Sequence, residues 1–308
     1  MLRALFVRLS ENRSLRGFAE QSALGRRVSG RFVAGTEIAD AVRVTQTVNR
    51  AGMSVSIDNL GENVTNPDEA RHSAGLYHQI LEAIAANRLN ANISLKLTHM
   101  GLDVDERLAR EIVGGLVAKA ASMNPPGFVR VDMEGSPYTQ RTLDFVHELH
   151  RMPGNAKSVG TVIQTYLKRS ESDVEKLLAE GIRIRLCKGA YKEPPSIAFE
   201  SKADVDANYI KLMKMLMKSG TYHGLATHDQ NIIREAQAFA TKEKIARDSF
   251  EFQMLYGIRR DLQQSLVREG WRMRVYIPFG TEWYPYFMRR LGERPANVFF
   301  IARNMLRA

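Results

Sequence analysis

The chain has 308 residues, of which 44% are hydrophobic and 25% charged, with a single cysteine, Cys187. This composition sits near the globular average and excludes a disordered or fibrous chain. One cysteine excludes an intramolecular disulfide and fits a reducing compartment, and no run of 18 apolar residues is present to span a membrane. Lys and Arg exceed Asp and Glu by 44 to 34, a net charge of +10. That excess points to anionic partners or to a solubilising surface, but it is scattered and no nucleic-acid-binding motif accompanies it, so nucleic acid is not an expected partner.

The opening stretch, "MLRALFVRLSENRSLRGFAE", is basic with an apolar core too short for a secretory signal, and reads as an amphipathic helix. Residues 1–50 as a whole are expected to form an N-terminal helical arm, followed by a catalytic domain over 51–308. From there strand-like segments recur in order: 53–60, 92–98, 128–134, 159–167, 182–188, 222–229, 250–255 and 272–280. The stretches between them carry apolar residues at helical spacing, as in "PDEARHSAGLYHQILEAIAAN" and "VDANYIKLMKMLMKSG". Eight strand–helix alternations predict an α/β fold, a (βα)8 TIM-type barrel.

Strands of a parallel barrel are usually apolar throughout, because helices cover the outside and side chains fill the inside. Here they alternate. Ile93, Leu95 and Leu97 interleave with Ser94, Lys96 and Thr98; Val129, Val131 and Met133 with Arg130, Asp132 and Glu134; Ile182, Ile184 and Leu186 with Arg183, Arg185 and Cys187; Met273, Val275 and Ile277 with Arg272, Arg274 and Tyr276. If the apolar rows meet the helices, Lys96, Asp132, Gln164, Arg185, Gln253 and Tyr276 point inward. Isolated buried charges are costly, so these must pair with one another or with a ligand. Lower in the barrel, Arg130, Arg183, Glu251 and Arg274 are expected to satisfy one another, with Arg183 as a partner of Glu251. The upper layer lies at the C-terminal strand ends, where active sites of this fold sit.

The motifs "SLKLT", "VRVDME", "RLCKGAYKEP", "LATHD", "EFQMLYG" and "YIPFGTEWYPYFMRRLGERP" resemble those of the proline dehydrogenase family in its single-function bacterial form, in the family's order and from about residue 30 onward. The resemblance implies a distorted (βα)8 barrel that binds FAD non-covalently. It further implies oxidation of L-proline to Δ1-pyrroline-5-carboxylate by hydride transfer to flavin N5, with the electrons passed to a membrane quinone. It places Arg185 against the flavin N5 edge and Asp132 as the residue that holds Lys96 and orders the site. Lys96, Leu255, Tyr276, Tyr286, Arg289 and Arg290 become substrate contacts. Tyr286, Arg289 and Arg290 share one helix face, and the two arginines can grip a carboxylate by charge-assisted hydrogen bonds. Met133, Gln164, Cys187 (through its backbone), Lys188, Gly189, Ala190, Thr227 and His228 fall at cofactor-contact positions, with Tyr191 nearby; Glu293 pairs with an arginine or touches the cofactor ribose.

His72, His78 and His99 show no metal-ligand spacing, so no metal is expected. No G-x-G-x-x-G follows a strand, which argues against a Rossmann-type site. Read from residues alone, two other functions stay open: a non-redox barrel lyase or isomerase in which Arg289 and Arg290 grip a phosphate, and a basic nucleic-acid-binding protein. A cytoplasmic protein is expected, with transient peripheral contact to the inner face of an anionic membrane compatible with the charge.

Overall fold

The computed structural model describes residues 29–293, with side chains as far as Met288. Helix α1 (Ile38–Arg50) leads into a strict alternation: β1 (Ser54–Asn59), α2 (Pro67–Ala86), β2 (Ala91–Leu95), α3 (Glu106–Ala121), β3 (Val129–Val131), α4 (Ser136–Arg151), β4 (Val159–Gln164) and α5 (Ser170–Ala179). It continues through β5 (Arg183–Cys187), α6 (Lys202–Lys218), β6 (His223–Ala226), α7 (Gln230–Lys242), β7 (Phe250–Leu255), α8 (Arg260–Arg268), β8 (Met273–Phe279) and α9 (Trp283–Glu293). The eight strands are parallel and close in sequence order, β8 returning to β1 through the register Ser56↔Tyr276. The expected eight-stranded α/β barrel is thus present, with each strand where the alternation places it.

The apolar rows do meet the helices. Val55, Ile57, Ile93, Leu95, Val129, Val131, Ile184, Leu186, Phe252 and Val275 are buried in one continuous core with residues from α1 to α8. Each such side chain taken from water contributes about 1.5–3 kcal/mol. Helix starts follow local chemistry: Asn66 caps α2 by accepting from the Glu69 N–H (2.9 Å), with Pro67 at the first helical position, and Asp105 caps α3. Helix α1 buries Ala41, Thr45 and Val48, of which Ala41 and Val48 join the main core. In its described part, the segment expected as an arm therefore contributes a helix to the barrel wall; residues 1–28 lie outside the described residues.

Several strands stop short of their expected C-terminal bounds. β2 ends at Leu95 and gives way to a 3-10 turn over Thr98–Met100, while β3 ends at Val131. The cause is side-chain capture. The Glu134 carboxylate accepts from the Thr98 N–H (3.1 Å) and hydroxyl (2.7 Å), which draws both chains out of the ladder at the barrel mouth.

The lower interior departs from the expected four-way ion network. Glu251 is taken by Arg274 (2.6 Å) and the Tyr222 hydroxyl (2.9 Å) rather than by Arg183. Arg183 donates to the Tyr222 carbonyl and lies over the rings of Phe128 and Tyr222, 4.7 and 4.9 Å from their centres. Arg130 covers Phe128 at 4.7 Å and donates to the carbonyls of Thr161 and Arg183. One carboxylate cannot serve three guanidiniums, so aromatic faces and backbone carbonyls accept the other two.

On the outer side of β6, His223 is buried and locked in one tautomer: Nδ1 accepts from the Ile184 N–H (3.0 Å), which leaves Nε2 to donate to Ser219 Oγ (2.9 Å). Burial, reinforced by Arg130 and Arg183, pushes its pKa down to about 3. A histidine held neutral in the fold stabilises above its unfolded pKa near 6.5, and that contribution is lost as pH falls toward the folded value. The expected cost between pH 7 and pH 5 is about 2 kcal/mol. Urea unfolding midpoints at the two pH values measure it, and His223→Asn, whose carbonyl replaces Nδ1 as acceptor, should remove that part of the pH dependence.

Candidate active site

Six strands send polar side chains to one place inside the barrel. Arg185, at the centre of β5, is buried and donates from Nη1 to Asp132 Oδ1 (2.7 Å) and Ser94 Oγ (3.0 Å), from Nη2 to Ser56 Oγ (3.1 Å), and from Nε to Gln253 Oε1 (2.6 Å). The second oxygen of Asp132 accepts the Tyr276 hydroxyl at 2.8 Å, and the Tyr276 ring carries the Arg185 guanidinium 5.1 Å from its centre. Asp132 also accepts from Ser94 Oγ at 2.9 Å. Tyr276 is thereby held as a phenol, its pKa raised by burial and by the carboxylates of Asp132 and Asp58.

Lys96 is held differently from the expectation. Its ion pair runs to Asp58 (3.7 Å), while the bonds of Asp132 go to Arg185, Ser94 and Tyr276. Burial opposes the ammonium charge, yet Asp58, and Asp132 behind it, raise the Lys96 pKa overall. Asp58 is itself buried, accepts a long bond from the Tyr77 hydroxyl (3.3 Å), and has its own pKa raised by that burial. The signal for Asp58 lies in "SVSIDNL", where Ser54, Ser56 and Asp58 repeat the inward polar row of the other strands. The set is charge-balanced, Lys96 and Arg185 against Asp58 and Asp132. A further anion arriving here therefore requires cations from outside it.

The other expected residues ring this centre. Gln164 is buried and bridges strand ends, donating to the Glu134 carbonyl (2.9 Å) and accepting from the Ala190 N–H at 3.4 Å. The latter is at the long limit for a hydrogen bond. Gly189 has φ +115°, and a Cβ there would lie 2.0 Å from the Tyr166 ring, so only glycine closes this turn. Lys188 spends its charge on Asp206 (2.5 Å) and Asp229 (3.0 Å). The Cys187 carbonyl accepts from Thr165 N–H (2.8 Å). His228 Nε2 accepts from the Leu255 N–H (3.0 Å), which ties the ends of β6 and β7 together. Thr227 Oγ1 accepts from Asp229 N–H, and Met133 is buried in the main core.

Leu255 and Tyr286 pack in a second apolar cluster with Phe32, Val33, Leu60 and Trp283, which seats α9 on the barrel. Arg289, Arg290 and Glu293 lie outside the residues whose side chains are described. A cleft of about 470 Å³ opens at the loop that follows β5, lined by Tyr166, Gly189, Tyr191 and Lys202 among others. The loop beneath it is tied down by Glu193, which accepts from the Ser136 N–H (2.7 Å) and hydroxyl (2.6 Å) at the start of α4. No helix among the described residues is long and apolar enough to cross a membrane.

A family model described as Proline dehydrogenase matches residues 41–303. The chain is 40% identical over 308 residues to Proline dehydrogenase 1 of Bacillus subtilis (strain 168), covering 100% of both chains. It is 41% identical over 280 residues to Proline dehydrogenase of Deinococcus radiodurans, covering 90% of this chain and 89% of that one. Among solved structures it is similar to proline utilization A (PutA) from Bdellovibrio bacteriovorus inactivated by N-propargylglycine, with a TM-score of 0.80 and 25% identity over 87% of this chain and 32% of that one. The chain therefore spans about a third of that protein's length.

The division of labour between the two aspartates is testable by stability. Asp58→Asn strands the Lys96 charge in the barrel and should cost about 3 kcal/mol in urea unfolding, the low end for breaking a buried pair. Unchanged stability would instead assign the hold on Lys96 to Asp132.

Proposed function

The chain belongs to the proline dehydrogenase family and is an oxidoreductase of proline catabolism, and from this premise we propose that its barrel mouth holds FAD non-covalently and presents L-proline to it. The family typically uses FAD. The donor set at the strand ends fits such a group: a buried guanidinium at Arg185, the Gln164 amide and the Ala190 backbone can all face a flat heteroaromatic ring. Lys188, Gly189, Thr227, His228 and Met133 complete the cofactor side in this reading, and Cys187 contributes backbone. When bound, FAD supplies the acceptor for the hydride that leaves the proline ring carbon beside nitrogen, giving Δ1-pyrroline-5-carboxylate.

The chain's own part is orientation and charge. Arg185 keeps a fixed positive charge at the barrel axis, where low dielectric makes it count. Asp132 holds Arg185 with one oxygen and Tyr276 with the other, so a single carboxylate sets both the charge and one wall of the substrate pocket. Tyr276 and Leu255 flank the ring, and Lys96, already compensated by Asp58, lies at the carboxylate end. The observation that carries the reading is the charge balance of the described centre: a substrate carboxylate needs further cations, and in this reading Arg289 and Arg290, at helical spacing from Tyr286 in the sequence, supply them. Glu293 joins this end in the same reading. Electrons leave to a quinone, with transient contact to an anionic membrane supported only by the +10 charge. Family membership makes the chain an oxidoreductase in place of the non-redox lyase or isomerase reading.

Purified protein should be yellow and bleach on addition of L-proline. Protein that stays colourless after mixing with FAD overturns the proposal. Arg289→Met with Arg290→Met should raise KM for proline at least tenfold, since each hydrogen bond to a charged group is worth about 1.5–3 kcal/mol. The flavin should stay bound in that variant, and its loss would place the clamp on the cofactor instead.

A further inference from the structure

Arg185 makes one bond that the catalytic reading does not use. Its Nε donates to Gln253 Oε1 at 2.6 Å, and Gln253 Nε2 donates to Glu251 Oε1 at 2.7 Å. Glu251 in turn accepts from Arg274 Nε (2.6 Å) and the Tyr222 hydroxyl (2.9 Å). A column of hydrogen bonds thus runs along the inside of the barrel, from the lower arginine layer up to the guanidinium at the site.

The direction of this column is dictated chemically. An ionised carboxylate only accepts, so Glu251 forces the NH2 end of the Gln253 amide downward. The carbonyl end then faces up, where it accepts from Arg185 at 2.6 Å. Glu251 is kept ionised for this: burial opposes its charge, but Arg274 and the hydrogen bonds from Arg274, Tyr222 and Gln253 bring its pKa below the ordinary value. Room for the amide comes from Gly224 on the neighbouring strand, where a Cβ would lie 2.2 Å from Gln253 Nε2 and 2.7 Å from its Cδ. Glutamate at 251, glutamine at 253 and glycine at 224 form one device.

We propose that Gln253, oriented by Glu251 and admitted by Gly224, is a positioning residue that aims the Arg185 guanidinium and thereby sets how strongly the site stabilises a reduced flavin. The proposal rests on the reading that Arg185 lies beside the flavin. Without the Nε bond, the guanidinium keeps its Asp132, Ser94 and Ser56 contacts, all through the Nη atoms, and loses the contact on its Nε edge that completes the hold on its plane.

The test is the flavin midpoint potential of the holoenzyme, with turnover as a second readout. Gln253→Met, close in size but without the acceptor, should disfavour flavin reduction about tenfold, which is about 30 mV more negative for a two-electron couple. Arg185→Met should move the potential further in the same direction, and Gln253→Met added to it should move nothing more. A merely structural glutamine would not produce that non-additivity. If Gln253→Met leaves the potential unchanged while Arg185→Met shifts it, the positioning role is overturned and the placement of Arg185 stands. If Arg185→Met also leaves it unchanged, the placement beside the flavin fails and the inference falls with it. Should Gln253→Met not retain flavin, Gly224→Ala displaces the same amide and takes its place in the cycle.

Discussion

Everything in this barrel depends on the need to neutralise a guanidinium buried at its axis. A cation without partners in that setting would cost far more than the fold's net stability, and proteins meet the problem by pairing and hydrogen bonding. Arg185 is met by Asp132 at 2.7 Å and by acceptors on three further strands, β1, β2 and β7. Those acceptors need small or polar side chains at matching heights: Ser56, Ser94, Gln253. The usual branched aliphatic layers of such a barrel are displaced accordingly. The polar interior is therefore one arrangement, with each strand's inward row selected by its neighbours.

The same constraint separates the barrel into two levels. In the upper level two cations meet two carboxylates, and the phenol of Tyr276 ties the balance to the mouth. In the lower level, among the described residues, Glu251 serves Arg274, and for Arg130 and Arg183 the rings of Phe128 and Tyr222 take the place of missing carboxylates. Arg130 lies across Gly160, where a Cβ would be 3.0 Å from its Nη1. The lower level serves as a rigid floor, and Gln253 is the group that connects floor to site.

Much of this was legible before any coordinates. Period-two alternation separated helix-facing rows from inward rows on β2, β3, β5 and β8, and the structure places Lys96, Asp132, Gln164, Arg185, Gln253 and Tyr276 where that pattern put them. Partner choice was another matter. Lys96 and Asp132 stand on adjacent strands, yet Asp132 is saturated by Arg185, Ser94 and Tyr276, and Asp58 on the other flank takes the lysine. Arg183 and Glu251 looked like complements because their charges oppose. Arg274, on the strand directly paired with that of Glu251, reaches the carboxylate instead. Strand ends were misplaced for a related reason: the capture of Thr98 by Glu134 is a long-range side-chain event that no local propensity encodes.

By itself, then, the sequence determined the eightfold strand–helix order, the face of each strand that turns inward, and, through its motifs, the family. These follow from periodicity and from residue identity, which are local quantities. The tertiary structure alone decided which acid serves which base, where each ladder stops, and that a glutamine links the floor of the barrel to its functional arginine. Those outcomes depend on stagger between strands distant in sequence, such as Arg185 and Gln253, 68 positions apart. A hydrogen bond between them exists only once barrel closure brings both side chains to the same height.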